Sequence, residues 1–160
     1  SPDDPAYGFL LGMHAFGLEE CGAYGQAEEA GRQALDMEPT DCWAQHAMAH
    51  VLEMQARQEE AIGFMEDRAE YWAQDDNGFR FHNWWHTALY HLDQGNTGRA
   101  LEIHDQGVRP EPLDIQLTML DSAALLWRLH LNRMDVGNRW DELAETYEND
   151  GEDGRLFSGL

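Results

Sequence analysis

The sequence predicts an all-α chain, a right-handed α-solenoid of about four antiparallel helix hairpins. Three observations carry that expectation. Apolar residues recur at helical spacing almost throughout, and no stretch alternates with period two for long enough to argue a strand. Turn-formers interrupt the pattern at Glu38-Pro39-Thr40-Asp41, Asp75-Asp76-Asn77-Gly78, Arg109-Pro110-Glu111-Pro112 and Asn149-Asp150-Gly151, leaving room for two helices between successive breaks. A small-and-aromatic pattern also returns along the chain.

The pattern is clearest at Gly22-Ala23-Tyr24-Gly25-Gln26-Ala27, continued by Ala34-Leu35 and Pro39. Its small residue admits a tight interhelical turn, its alanine permits close helix contact, and its proline ends the unit. It returns where Ala56 to Glu60 leads to Ala61 and where Gly95-Asn96-Thr97 leads to Ala100, so the alanine anchors stand 34 and 39 positions apart. A fainter copy runs from Leu125 through Met134-Asp135-Val136 to Trp140. First helices are therefore expected near 7–21, 42–56, 81–94 and 117–133, and second helices near 24–37, 58–74, 97–108 and 136–147. Asp41 is placed to N-cap the helix that follows it. Trp43 and Trp84 hold the opening aromatic position of the second and third units, each expected to wedge between its own hairpin helices. The repeat domain is expected over 1–148. Residues 149–160 read as an acidic, partly flexible tail carrying Leu156 and Phe157.

Composition narrows the function. The chain has 160 residues, 31 acidic and 10 basic, for a net charge of −21, and 42% of its residues are hydrophobic. That suits one compact domain or a short repeat array. All ten basic residues are arginine, so neither a phosphate-binding lysine nor a Schiff-base lysine is available. So negative a chain repels phosphate backbones and anionic headgroups, which makes nucleic acid and membranes poor partners. The acidity reads as a solvated surface, with a basic partner as the sharper alternative. Cys21 and Cys42 form no CxxC pair, which with the absence of any apolar run near the roughly 20 residues of a membrane span points to a reducing, cytoplasmic setting. Ser1-Pro2-Asp3-Asp4-Pro5 has no initiator methionine, basic region or apolar run, and Tyr7, Phe9, Leu10 and Leu11 lack a polar cap. A piece of a longer solenoid is expected, with self-association through that open face as a possibility.

The segments Gly12-Met13-His14-Ala15-Phe16-Gly17-Leu18-Glu19-Glu20, His46-Ala47-Met48-Ala49-His50-Val51-Leu52-Glu53-Met54, His82-Asn83-Trp84-Trp85-His86 and Leu125-Leu126-Trp127-Arg128-Leu129-His130 together resemble the tetratricopeptide repeat protein 38 family. The likeness runs from about Tyr7 to Trp140. It implies an α-solenoid with further repeats ahead of this region, and it supplies no catalytic residues.

Candidate chemistry lies with the eight histidines, most of them on expected first helices. His46 and His50 stand i, i+4 on one helical face with Glu53 beyond them, and His82 and His86 repeat the spacing one unit later. First helices of neighbouring repeats lie roughly 10 Å apart, so the two pairs can converge on one divalent metal such as zinc. His46, His50, Glu53, His82 and His86 are the candidate set, with Glu53 as fourth ligand or base and His14 as acid–base partner of a hydrolase or lyase. Against an enzyme, Ala47 and Asn83 stand where a zincin places its glutamate, and no Glu-x-x-His, Gly-rich phosphate loop or nucleophile elbow occurs. Repeat alignment also puts His14 and His46 at a leucine position and His50 and His91 at a tyrosine position, inside the hairpin, where imidazoles are structural once hydrogen-bonded. His82, Trp85, Leu89 and Asp93 follow a spacing that faces a concave groove, and Glu19 and Glu20 lie beside His14. The leading expectation is a cofactor-free interaction module that binds a peptide, protein or small ligand through His14, Glu19, His82, Trp85 and Asp93. The metal-dependent hydrolase or lyase is the alternative.

Overall fold

The computed structural model describes residues 6–75, 77–113 and 115–150, and every regular element among them is a helix. In chain order these are α1 (Tyr7–Glu20), α2 (Tyr24–Met37), α3 (Cys42–Met54), α4 (Gln58–Asp67), α5 (Ala69–Trp72), α6 (Arg80–Asp93), α7 (Thr97–Ile103), a π-helical turn (His104–Val108), α8 (Gln116–Leu131) and α9 (Arg139–Asp150). None of these helices is long and apolar enough to cross a membrane. The tail expected at 149–160 lies outside the described residues beyond Asp150.

Four helices, α1, α3, α6 and α8, end in the same way. Each closes with paired backbone bonds onto its last turn: Gly22 to Glu19 and Ala23 to Leu18, Ala56 to Glu53 and Arg57 to Leu52, Gly95 to Leu92 and Asn96 to His91, Arg133 to His130 and Met134 to Leu129. This is the Schellman closure, which requires a left-handed residue just past the helix. Gly22, Ala56, Gly95 and Arg133 supply it, with φ of 73°, 56°, 79° and 64°. Ala27, Ala61 and Ala100 each follow that residue by five positions, and each is completely buried. A larger side chain at any of the three would hold the paired helices apart.

The chain forms two compact units, Ser1–Asn83 and Trp84–Leu160, and the boundary falls within α6. In the first, α1 packs on α2 and α3, and α2 on α3. Small residues make this close: Ala15, Ala30 and Ala47 meet at the centre with Leu11, Phe16 and Leu18 around them. Asp41 caps α3 as expected, its Oδ1 accepting from the Trp43 and Ala44 amides at 2.9 and 3.3 Å. The helix expected over 58–74 breaks at Arg68 instead. There the Met65 carbonyl accepts from the Trp72 indole at 3.0 Å, and the Arg68 guanidinium turns away to Gln45 Oε1 and the Pro39 carbonyl.

In the second unit, Leu125, Leu126 and Leu129 of α8 pack with Ile103, Val108 and Leu143. The helix expected over 97–108 changes hand-hold at Ile103 and finishes as the π-helical turn, closed by the Arg109 amide on the His104 carbonyl at 2.8 Å. Trp84 lies against Gly107 there, so closely that a Cβ on Gly107 would come within 2.5 Å of the indole Cγ. Trp84 thus packs against the end of the segment expected as the second helix of its unit. Trp43 instead meets Phe16 of α1 and Phe79, at ring-centre distances of 5.5 and 5.1 Å. The last helix starts at Arg139 rather than 136, because Val136–Asn138 forms a turn through Gly137, whose amide donates to Asp135 Oδ1. Buried Arg109 then ties α9 down through Glu142 at 2.8 Å, Thr146 and the Leu113 carbonyl.

Candidate metal centre

Asp41 fixes the start of α3, and from there the i, i+4 spacing brings His46 and His50 onto one face. Their ring centres lie 4.3 Å apart, and His82, in the first turn of α6, puts its ring 5.0 Å from His46. One ligand nitrogen from each of His46, His50 and His82 lies within 4.8 Å of the others. Three imidazole nitrogens that close can share one ion at a zinc–nitrogen distance of about 2.0–2.1 Å after small ring adjustments.

Aromatic rings hold this arrangement. His46 is sandwiched between Phe16 and Phe79, nearly parallel to both at centre distances of 5.4 and 5.1 Å. Phe16 also meets the edge of His50 at 5.9 Å, and Trp43 touches both phenyl rings. His46 is thus buried in apolar surroundings, where orientation is fixed by packing. Burial lowers the His50 pKa; His82 adds to the lowering and the Glu53 and Glu20 charges oppose it. Neutral imidazole is the form that ligates metals.

Carboxylates flank the cluster, and those of Glu19 and Glu20 each bring an oxygen within 4.8 Å of a His50 ring nitrogen. Glu19 is buried at 6% exposure, and its Oε2 stands 3.3 Å from His50 Nδ1. Burial raises the Glu19 pKa, and the Glu20 and Glu53 charges push it further up. Glu53 is half-buried in the last turn of α3, at the position relative to Ala56 that Glu19 holds relative to Gly22.

The other expected site residues divide. His86 follows His82 by one turn of α6 and is buried, with its ring 5.0 Å from Trp85 and 6.5 Å from Tyr90. His91 is buried, as expected of a hairpin interior. His14 is not: it is exposed, and Glu19 turns to His50. The reason is register. His46 stands ten residues before its turn residue Ala56, and His14 only eight before Gly22, so they are not equivalent positions. Two residues rotate a helical side chain by about 200°, to the opposite face. The buried stripe of α1 accordingly runs through Gly8, Gly12, Ala15 and Glu19.

The groove expected from His82, Trp85, Leu89 and Asp93 also separates. Leu89 belongs to the core of the second unit, Trp85 packs on that core with the Arg128 guanidinium 5.7 Å over its ring, and Asp93 is exposed. Burial and the Asp41 charge raise the Cys42 thiol pKa, which disfavours the reactive thiolate.

Sequence reading missed one polar chain. His104 Nε2 lies 2.8 Å from Ser122 Oγ, His104 Nδ1 lies 2.9 Å from Asp105 Oδ1, and Arg139 Nε donates to Asp105 at 2.7 Å. The order of atoms is that of a serine triad, but Ser122 is completely buried and no substrate reaches it. It pins the π-helical turn to α8 and α9. No local motif foretells it, because Ser122 and His104 meet across 18 residues.

No known protein-family model matches the chain.

Proposed function

We propose that this protein is a tetratricopeptide-like helical-repeat module, akin to the tetratricopeptide repeat protein 38 family, that holds one divalent transition-metal ion, zinc first, between His46, His50 and His82. The single observation that carries the reading is the approach of three imidazoles to within 4.8 Å inside aromatic packing. The recurring left-handed turn and its buried alanine five residues later support the repeat assignment and, with it, a right-handed stack of hairpins. A bound ion would supply Lewis-acid polarisation or an acidified water, the chemistry of a hydrolase or lyase. Glu53 is the nearby carboxylate for proton transfer, its charge felt by both His50 and Glu19.

Metal analysis of protein purified without an affinity tag tests this. Near-stoichiometric zinc, iron or nickel is expected, and His46→Ala combined with His82→Ala should reduce it to background. A metal-free wild type that also refuses added zinc would end the reading.

A second reading, docking of a peptide or protein, has its own observation. Leu117, Leu120, Trp127 and Leu131 are all exposed along α8 at spacings of three, seven and four, which is one stripe of a helix. Phe9 and Leu10 are exposed on α1 as well. Light scattering of wild type against Trp127→Glu distinguishes self-association through the α8 stripe from a face left for another partner.

A further inference from the structure

Resting on the metal reading of the same site, we infer that Glu19 is a positioning residue: its carboxylate orients His50 for metal binding and offsets the ion's charge. Three observations lead there. Glu19 is an interior carboxylate at the end of α1, and the Schellman closure that uses its own carbonyl fixes where the side chain departs. Its Oε2 reaches His50 Nδ1 at 3.3 Å and has no hydrogen-bond partner among the described residues, so the approach is an ion-pair distance without full hydrogen-bond alignment. His50 Nδ1 is the nitrogen turned to the carboxylate, which leaves Nε2, also buried, as its metal face.

A buried carboxylate that faces an imidazole and a second carboxylate, as Glu19 faces His50 and Glu20, is poorly compensated. Once the imidazole ligates a dication, its N–H becomes strongly polarised and the same carboxylate becomes its natural acceptor. A carboxylate behind a ligating histidine fixes the tautomer, steadies the ring and raises ligand basicity, and losing it typically costs about 10- to 100-fold in metal affinity. Glu29, exposed on α2 and outside the group that gathers at His50, carries the same charge and controls for general electrostatics.

The test is calorimetric titration of zinc into metal-stripped wild type, Glu19→Gln, Glu19→Asp and Glu29→Gln, with far-ultraviolet circular dichroism confirming helix content. The expected result is one equivalent of zinc in each, with affinity about 10- to 100-fold weaker in Glu19→Gln, intermediate in Glu19→Asp and near wild type in Glu29→Gln. The cobalt-substituted wild type and Glu19→Gln should also differ in their visible d–d bands, which report ligand orientation and which a merely structural role would leave alone. If wild type binds zinc and Glu19→Gln binds it equally well, Glu19 has no positioning role while the metal site stands. Equal weakening by Glu29→Gln would also overturn the inference, reducing it to bulk charge. If wild type binds no zinc, the metal reading falls and this inference with it. Should Glu19→Gln lose its helical signal, Glu19→Asp carries the comparison: a folded Glu19→Asp with wild-type affinity and wild-type cobalt bands refutes the role.

Discussion

At the residue scale, the four equivalent turns do not carry equivalent residues. Gly22 and Gly95 adopt the left-handed conformation freely, whereas Ala56 and Arg133 adopt it against their Cβ. That strain is about 1–2 kcal/mol, and glycine gives back about 0.4–1 kcal/mol through the unfolded chain. Ala56→Gly should therefore stabilise the protein by about 0.5–1 kcal/mol in chemical denaturation. Gly22→Ala, with open space around its Cβ, should cost about 1–2 kcal/mol from backbone strain alone. Gly12 in α1 is glycine for a different reason. A Cβ there would come within 2.1 Å of Asp41 Oδ2, the buried carboxylate that caps α3. Gly12→Ala should lose about 1–3 kcal/mol despite the better helix propensity of alanine, and a measured gain would contradict this packing.

Elements in this protein are set by how they end and by the small residue that lets them pair. The alanine anchors were legible from sequence because they recur at a fixed offset from the turns, and all three are buried at that offset. Ala61→Leu should push α3 and α4 apart and cost about 1–3 kcal/mol, visible as a lower denaturation midpoint. Where each second helix breaks was not legible. The interruption at Arg68 depends on a tryptophan reaching back seven residues, and the π-helical turn on an indole that leaves no room for a Cβ at Gly107. Local propensity carries neither fact, since both are made by side chains from outside the turn concerned. The misplacement of His14 has the same root, because an offset of two residues goes unnoticed in a pattern and reverses a helical face.

For the molecule as a whole, the proton balance fixes how stability varies with pH. Burial lowers the pKa of His104, against the pull of Asp105, with Arg139 and Arg109 lowering it further. Asp105 is held below the usual carboxylate range chiefly by its hydrogen bond to Arg139. Both groups bind fewer protons folded than unfolded, so their contribution is complete above an unfolded imidazole pKa of about 6.5 and fades as pH falls below it, with the Asp105 part fading below about 3.9. His50 acts in the same direction. Glu28 adds an acid branch of the same sign, since Arg57 and Arg32 hold its pKa at about 2, and its share is lost between about 4.5 and that value. Glu19 and Asp41, whose pKa values burial raises, act in the opposite direction as pH falls toward the carboxylate range, so the histidine share is read above it: urea midpoints should fall from pH 8 to pH 6, with a shallower slope in His104→Gln. A net charge of −21 further predicts that sodium chloride at several hundred millimolar raises the melting temperature, as self-repulsion is screened.

Sequence by itself determined that the chain is helical, close to where most helices begin and end, which alanines let them pair, and that His46, His50, Glu53, His82 and His86 form one candidate set. Periodicity, turn residues and i, i+4 spacing are local properties, and they are written in the order of the residues. Tertiary structure decided the rest: that His46 is clasped by Phe16 and Phe79, that Glu19 rather than Glu53 stands at His50 Nδ1, that His14 looks away, and that Ser122 meets His104. Those facts depend on the rotation and offset of one helix against another, and packing between separate segments sets both.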